Sequence, residues 1–291
     1  MNHGDIYGGA SNSGSSENNT VKIGSGVRIS NSGSGGNIYG GDGYAGTVTG
    51  NTVEIGNGAT ISSSGSGGHI YGGYTRSYGG YSDKASMVRD NRVFIKGGNS
   101  GFIFGGYSLG GGEVRNNTVI LDGVTVYDDI YGGYSGQDGA STGNSVIVRG
   151  NSDISAARLT GGYGKTSSGN TLQYRSSGLS AKNISRFQNL QFIVPGTVGN
   201  GDTLLTLTDG NQTDISNSTI SVAIASGPTA LQSGNTITLL KNAAGIDKTG
   251  VTQTTMTGVQ GISLDYEFNV NLDPADPDNT KLTATPVSYT H

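Results

Sequence analysis

The sequence predicts an all-β chain wound as a parallel β-solenoid, and three observations predict it. A tetrad of Ile-Tyr-Gly-Gly type begins at residues 6, 38, 70, 103 and 130, and recurs in weakened form as Leu159-Thr160-Gly161-Gly162. A second signature of Asn-Thr-Val-x-Ile type alternates with it, beginning at Asn19, Asn51, Asn91, Asn117, Asn144 and Asn170. Glycine supplies 53 of the 291 residues. Glycine so dense breaks a helix repeatedly, and no stretch spaces its apolar residues to suit one.

In the tetrad, neighbouring residues of a strand point to opposite faces. If Ile6, Ile38, Ile70, Ile103 and Ile130 fill a core, then Tyr7, Tyr39, Tyr71, Phe104 and Tyr131 form a ladder outside it. Further tyrosines follow at Tyr74, Tyr107, Tyr134 and Tyr163. The paired glycines mark a bend, where positive φ or close packing of the next coil excludes a side chain.

The second signature alternates like a half-buried strand. Val21 and Ile23, Val53 and Ile55, Val93 and Ile95, and Val119 and Leu121 share one side, while Lys22, Thr52 and Glu54 take the other. Successive tetrads lie 32, 32, 33, 27 and 29 residues apart, too few for the four strands of a propeller blade. One repeat per coil fits better. Equivalent residues then stack about 4.8 Å apart. Ile and Val become core ladders, the asparagines an amide ladder at a corner, and the insertions outward loops.

The repeat ends after Asn170, so residues 1–182 read as solenoid coils and 183–291 as a C-terminal region that caps the open edge or continues the coils. That region holds denser apolar runs, "NISRFQNLQFIV" at 183–194, "TLLTLT" at 203–208, "TISVAIA" at 219–225, "TITLL" at 236–240 and "ISLDYEFNV" at 262–270.

Composition narrows the classes. There is no cysteine, hence no disulfide or thiolate metal site. The formal charge is −4 and the basic residues are scattered along the chain, so the footprint of a nucleic-acid binder is missing and charge alone implies no partner. No apolar run approaches the ~18 residues that cross a bilayer, and the first residues lack the pattern of a signal peptide. A cytosolic protein or an excised piece of an exported one fits both.

The Ile-Tyr-Gly-Gly and Asn-Thr-Val units, followed by "NISRFQNLQFIVPGTVGNGDTLLTL" and "LQSGNTITLL", resemble the passenger region of bacterial autotransporters of the type V secretion class. The spacing of Ile184, Phe187, Leu190 and Phe192 ahead of Gly201-Asp202-Thr203 is similar to the end of a passenger just before its membrane barrel. The resemblance implies a right-handed β-helix displayed at the outer membrane or outside a Gram-negative-type cell, anchored by a barrel that this sequence does not contain. It also implies adhesion or autoaggregation, with host surface or matrix protein, glycan or sister cells as partners. Proteases and esterases also occur among passengers.

Motifs for chemistry are weak. Gly106-Tyr107-Ser108-Leu109-Gly110 has the letters of a nucleophile elbow, which needs a strand-to-helix turn and a later histidine, and the later histidine is His291 at the last position. Gly41-Asp42-Gly43-Tyr44-Ala45-Gly46 has the letters of a dinucleotide fingerprint, which needs a following helix. His3, His69 and His291 lack metal-ligand spacing. Gly40-Gly41-Asp42-Gly43 begins a calcium-roll pattern that Ala45 breaks, leaving Asp128 and Asp129 as an adjacent acidic pair. Neither cofactor nor metal is expected.

β-Helices also serve polysaccharide lyases and hydrolases, which need paired carboxylates. Glu54, Asp83, Asp90, Glu113, Asp122, Asp128, Asp129, Asp138 and Asp153 share no repeat position. The expected function is therefore a non-enzymatic surface rod, with a carbohydrate-active enzyme and then a phage or other fibre as alternatives. Its candidate binding residues are the aromatic set Tyr7, Tyr39, Tyr71, Phe104, Tyr131, Tyr74, Tyr107 and Tyr134, read as an exposed ladder that stiffens the coil, contacts a partner, or both.

Overall fold

The computed structural model describes residues 4–12, 14–31, 36–44, 46–63, 68–76, 86–136, 139–256, 262–263, 266–272 and 279–289. They form a β-solenoid of about eight turns without a helix. The second turn shows the cross-section. A long strand, Ile38–Gly43, makes the first face; Thr47–Thr49, Thr52–Ile55 and Thr60–Ser63 make the second, third and fourth. Stacked coils extend these into sheets of 11, 6, 10 and 4 strands.

Repeats pair in register, so like lies on like. Ile38, Ile70, Ile103, Ile130, Leu159 and Ile184 align on the first face. Val53, Val93, Val119, Val146, Leu172 and Leu190 align on the third. Both ranks are buried and meet in one core, while Ile6 and Ile23 of the first coil are only partly covered. Farther along, Tyr174 and Phe192 take the places of Ile and Val, and the Tyr174 hydroxyl donates to the Leu204 carbonyl at 2.9 Å. Larger side chains fill the interior there, where the second face ends at Thr166–Ser168 and the fourth has already ended at Thr125–Val126.

The asparagines form the expected amide ladder. The Asn51 backbone N–H and Nδ2 both donate to Asn91 Oδ1, at 3.0 and 2.9 Å. Asn91 repeats this onto Asn117 at 3.1 and 2.9 Å, and Asn117 onto Asn144 at 3.0 Å for both bonds. Asn144 bonds Asn170 at 2.9 and 3.1 Å, and Gln188 ends the series by accepting from Asn170. Each Nδ2 also reaches a carbonyl of the second face, as Asn91 reaches Val48 at 3.0 Å and Asn117 reaches Val88 at 3.1 Å. All four hydrogen-bonding sites of the buried Asn91 amide are thus used, which a fully desolvated amide requires.

The residue before each ladder asparagine turns the corner with positive φ. Asn18, Gly50, Asp90, Asn116, Gly143 and Gly169 all do so, and all are types that reach this region at low cost.

The paired glycines face this ladder, and the cause is close approach. None of the tetrad glycines has positive φ. A Cβ on the first glycine of each pair would lie 2.6 Å or less from a carbonyl oxygen of the next coil. A Cβ on the second would lie 2.6 Å or less from the asparagine Nδ2. Successive strand residues ordinarily alternate, so two in a row aimed at the interior bend the strand.

Coils continue beyond the repeat. Parallel pairing on the first face runs on through Leu179–Ser185 and Thr203–Leu207 to Ile237–Asn242. Lys281–Tyr289 and Tyr266–Val270 then pair antiparallel and cover that edge. Ile262–Ser263 does the same beside Thr219–Ala225 on the third face.

Replacing Asn117 by leucine takes the acceptor from the buried Asn91 N–H and from one Asn91 Nδ2 hydrogen, and removes one donor each from Asn144 Oδ1, which keeps the Asn117 backbone N–H, and from the Val88 and Arg115 carbonyls. At about 1–3 kcal/mol for each buried group left unsatisfied, with partial relaxation, Asn117→Leu should cost about 3–5 kcal/mol in urea unfolding. A loss below about 1 kcal/mol would remove the ladder from the account of stability.

Candidate functional site

The bend at the glycines creates the aromatic surface. Ile70 points in and Tyr71 out, Gly72 and Gly73 both face the interior, and Tyr74 points out again before the buried Thr75. Tyrosines three residues apart thereby share one outer face. Two columns result, each one ring per coil.

The first column is Tyr7, Tyr39, Tyr71, Phe104 and Tyr131, with centroids 4.8, 4.9, 5.0 and 5.1 Å apart and planes within 8°. The second is Tyr74, Tyr107, Tyr134 and Tyr163, at 5.1, 4.7 and 4.8 Å. The separation is the strand spacing of the sheet beneath, which falls within the range for offset stacking. Between columns the rings meet edge to face, as Tyr71 does with Tyr74 at 5.0 Å and 70°, and Phe104 with Tyr107 at 5.0 Å and 83°. Flat stacking along the axis and perpendicular contact across it together make a herringbone.

Exposure within this set differs from the expected open ladder. Tyr7 is 40% exposed, but Tyr39 and Phe104 are buried at 7%. Their axial and lateral neighbours cover both faces and one edge. Tyr71, Tyr131, Tyr74, Tyr107 and Tyr134 are half-buried, and Tyr163 at the far end is 43% exposed.

Charged groups that the sequence did not single out finish the second column. Arg186 lies over the Tyr163 ring at 4.8 Å, and Arg76 over Tyr74 at 5.5 Å. Asp42 stands in register with Tyr74 one coil earlier and bonds Arg76 at 2.6 Å. Burial pushes the Asp42 carboxyl above the usual aspartate range, outweighing the opposing pull of Arg76. The signal for this cap was the tyrosine missing from Ile38-Tyr39-Gly40-Gly41, where an aspartate follows.

The remaining candidates are dispersed. Ser108 ends a strand, is buried, and accepts from the Gly112 N–H at 3.0 Å. The Gly41–Gly43 part of the fingerprint lies in a strand followed by another strand. His69 accepts from the Phe102 N–H at 3.3 Å and packs against that ring, while His3 and His291 lie outside the described residues. Glu54 pairs with Lys22, Asp90 with Arg89, Glu113 with Arg115 and Asp122 with Arg149. Asp129 accepts from the Arg158 N–H and Asp153 from Ser155; among the described residues the Asp128 side chain has no hydrogen bond or ion pair, and Asp83 and Asp138 lie outside the described residues. Among the described residues no group of three or more His, Asp or Glu is placed to hold a metal ion.

Comparison with known protein families, with curated proteins and with solved structures gives no match. The class that can be stated from the molecule itself is a repeat protein of β-solenoid fold.

Burial holds the phenols of Tyr39, Tyr71, Tyr131 and Tyr134 above their ordinary value of 10.0. The unfolded chain releases these protons near pH 10 and the folded chain keeps them, so their contribution to stability is complete below that pH and is lost as pH rises above it. Ultraviolet titration of phenolate should therefore show these tyrosines ionising together with the collapse of the β circular-dichroism signal. Complete, reversible ionisation near pH 10 with the β signal intact would contradict the stacked, desolvated columns.

Proposed function

We propose that this chain is the passenger region of an autotransporter, displayed at the cell surface and acting without catalysis as an adhesin or autoaggregation rod. The observation that carries the proposal is the pair of aromatic columns running along the solenoid axis. Tyrosine presents a broad apolar ring and a polar tip, and these rings are already held by their neighbours, so a partner docking on them orders little that was loose. Stacking also repeats the same contact at every coil. Many weak, equivalent contacts on a stiff frame give avidity that no single one supplies.

The C-terminal region adds support through the likeness of "NISRFQNLQFIV" and its downstream strands to the end of a passenger. Partners on this reading are a host surface or matrix protein, a glycan, or the same surface on sister cells.

The half-exposed end of the second column gives the cleanest test. Tyr134→Leu with Tyr163→Leu keeps apolar bulk while removing two phenols and their ring edges. Attachment to host cells, or settling of cells displaying the chain, should fall at least tenfold while the variant keeps its β circular-dichroism signal, with the urea midpoint lowered only by the stacking these two rings lose. Unchanged attachment alongside a lowered midpoint would assign the rings to the fold alone.

A further inference from the structure

The third face gathers cations that lie far apart in the sequence. Lys96, Asp122, Arg149 and Arg175 occupy one outward rank, in register on consecutive coils. Phe94, Ile120, Ile147 and Gln173 form the rank beside it, and Arg92 opens the next. Lys96, Arg149, Arg175 and Arg92 thus face Asp122 as the single carboxylate on the outward side of these four strands, in a chain whose formal charge is −4.

Arg149 engages Asp122 through Nε at 3.1 Å and lies over the Phe94 ring at 5.3 Å. Arg92 lies over the same ring at 5.8 Å. Arg175 donates to Gln173 Oε1 at 2.9 Å, and among the described residues no carboxylate lies within ion-pair reach of it. Burial lowers its affinity for its proton, and the charge of Arg149 on the neighbouring coil lowers it further. Two guanidinium groups on strands about 4.8 Å apart, one of them lacking a counter-charge, suit an oxyanion that bonds both.

We propose that this face binds an acidic polysaccharide, with a sulfate or carboxylate group on Arg149 and Arg175 and the sugar rings lying along the Phe94–Ile120–Ile147 rank. Phe94 and Ile147 are half-buried with the buried Ile120 between them, a shallow apolar strip that suits the C–H faces of pyranose rings. Gln173 donates onward to Gln191 at 3.0 Å, and Thr118 and Thr171 flank the rank, giving neutral groups that match sugar hydroxyls. A small excess of positive charge on an otherwise acidic rod favours a polymer of spaced charges over the dense phosphates of duplex DNA. The inference rests on the adhesive reading and names a ligand class for it, but it uses a different face from the aromatic columns, so either can fail alone.

Immobilised heparin is the probe, with desulfated heparin and duplex DNA as comparisons. The intact chain should bind heparin at least tenfold more tightly than duplex DNA, with desulfated heparin, which keeps its carboxylates, in between, and affinity should fall as salt rises. Arg149→Gln with Arg175→Gln should weaken heparin binding at least tenfold and flatten its salt dependence. Arg149→Lys with Arg175→Lys, which keeps the charge, should recover part of the loss. In another in-register pair, Arg89 and Arg115, both guanidinium groups have a carboxylate partner and neither stands unpaired as Arg175 does, so Arg89→Gln with Arg115→Gln should leave binding unchanged. Absence of heparin binding by the intact chain would overturn the proposal. So would full binding by a folded glutamine variant, or DNA bound as tightly as heparin.

Discussion

The hydrogen-bonded asparagine ladder is the constraint on which the rest of this structure depends. From Asn51 to Asn170 each amide is buried, and each is satisfied only if the next coil presents an amide at the same height, an asparagine for Asn51 to Asn144 and Gln188 for Asn170. Sliding one coil by a residue would strand donors and acceptors in a desolvated corner, at about 1–3 kcal/mol each. Apolar ladders alone tolerate such slips better, because Ile and Val contacts have no direction. The amides therefore set the register, and the hydrophobic ranks supply the bulk of the burial.

From that register follows the outer surface. The amide corner leaves no room for side chains on the facing strand, which selects the Gly-Gly pair. The pair bends the strand, and the bend brings residues three apart onto one face. A second aromatic column then becomes possible beside the first, and the two interlock edge to face. The aromatic surface is thus a geometric consequence of an interior polar network, and the columns return some stability through stacking of about 0.5–1.5 kcal/mol per pair.

Much of this was legible in the sequence because the repeats are close to literal. Strand periodicity, the Ile and Val ranks, the amide ladder and the tyrosine stacking follow from repetition and the period of 2. The depth of Tyr39 and Phe104 did not follow, because alternation gives the direction of a side chain but not how much its neighbours in other coils cover it. The paired glycines read as a bend from the letters, but that both aim inward at adjacent positions and break the alternation did not follow from them. Lys96, Arg149 and Arg175 each stand five residues after a ladder asparagine, so their shared rank was present in the letters, but taken along the chain the basic residues read as scattered charges. Coils past Asn170 keep the architecture without the motif, since Leu172, Tyr174, Leu190 and Phe192 fill the same positions with different volumes.

The central claim, that the ladder dictates the glycines, is tested most directly by a double-mutant cycle between Gly106 and Asn117. The nearest atoms to a Cβ at Gly106, all within 3.0 Å, belong to the Asn117 side chain, whereas the nearest to one at Gly105 is the Gly132 carbonyl oxygen. Gly106→Ala should therefore cost about 1–3 kcal/mol in the intact chain and well under 1 kcal/mol once Asn117 is alanine, while the cost of Gly105→Ala stays nearly the same in both backgrounds. Equal costs for Gly106→Ala with and without the asparagine side chain would contradict the account.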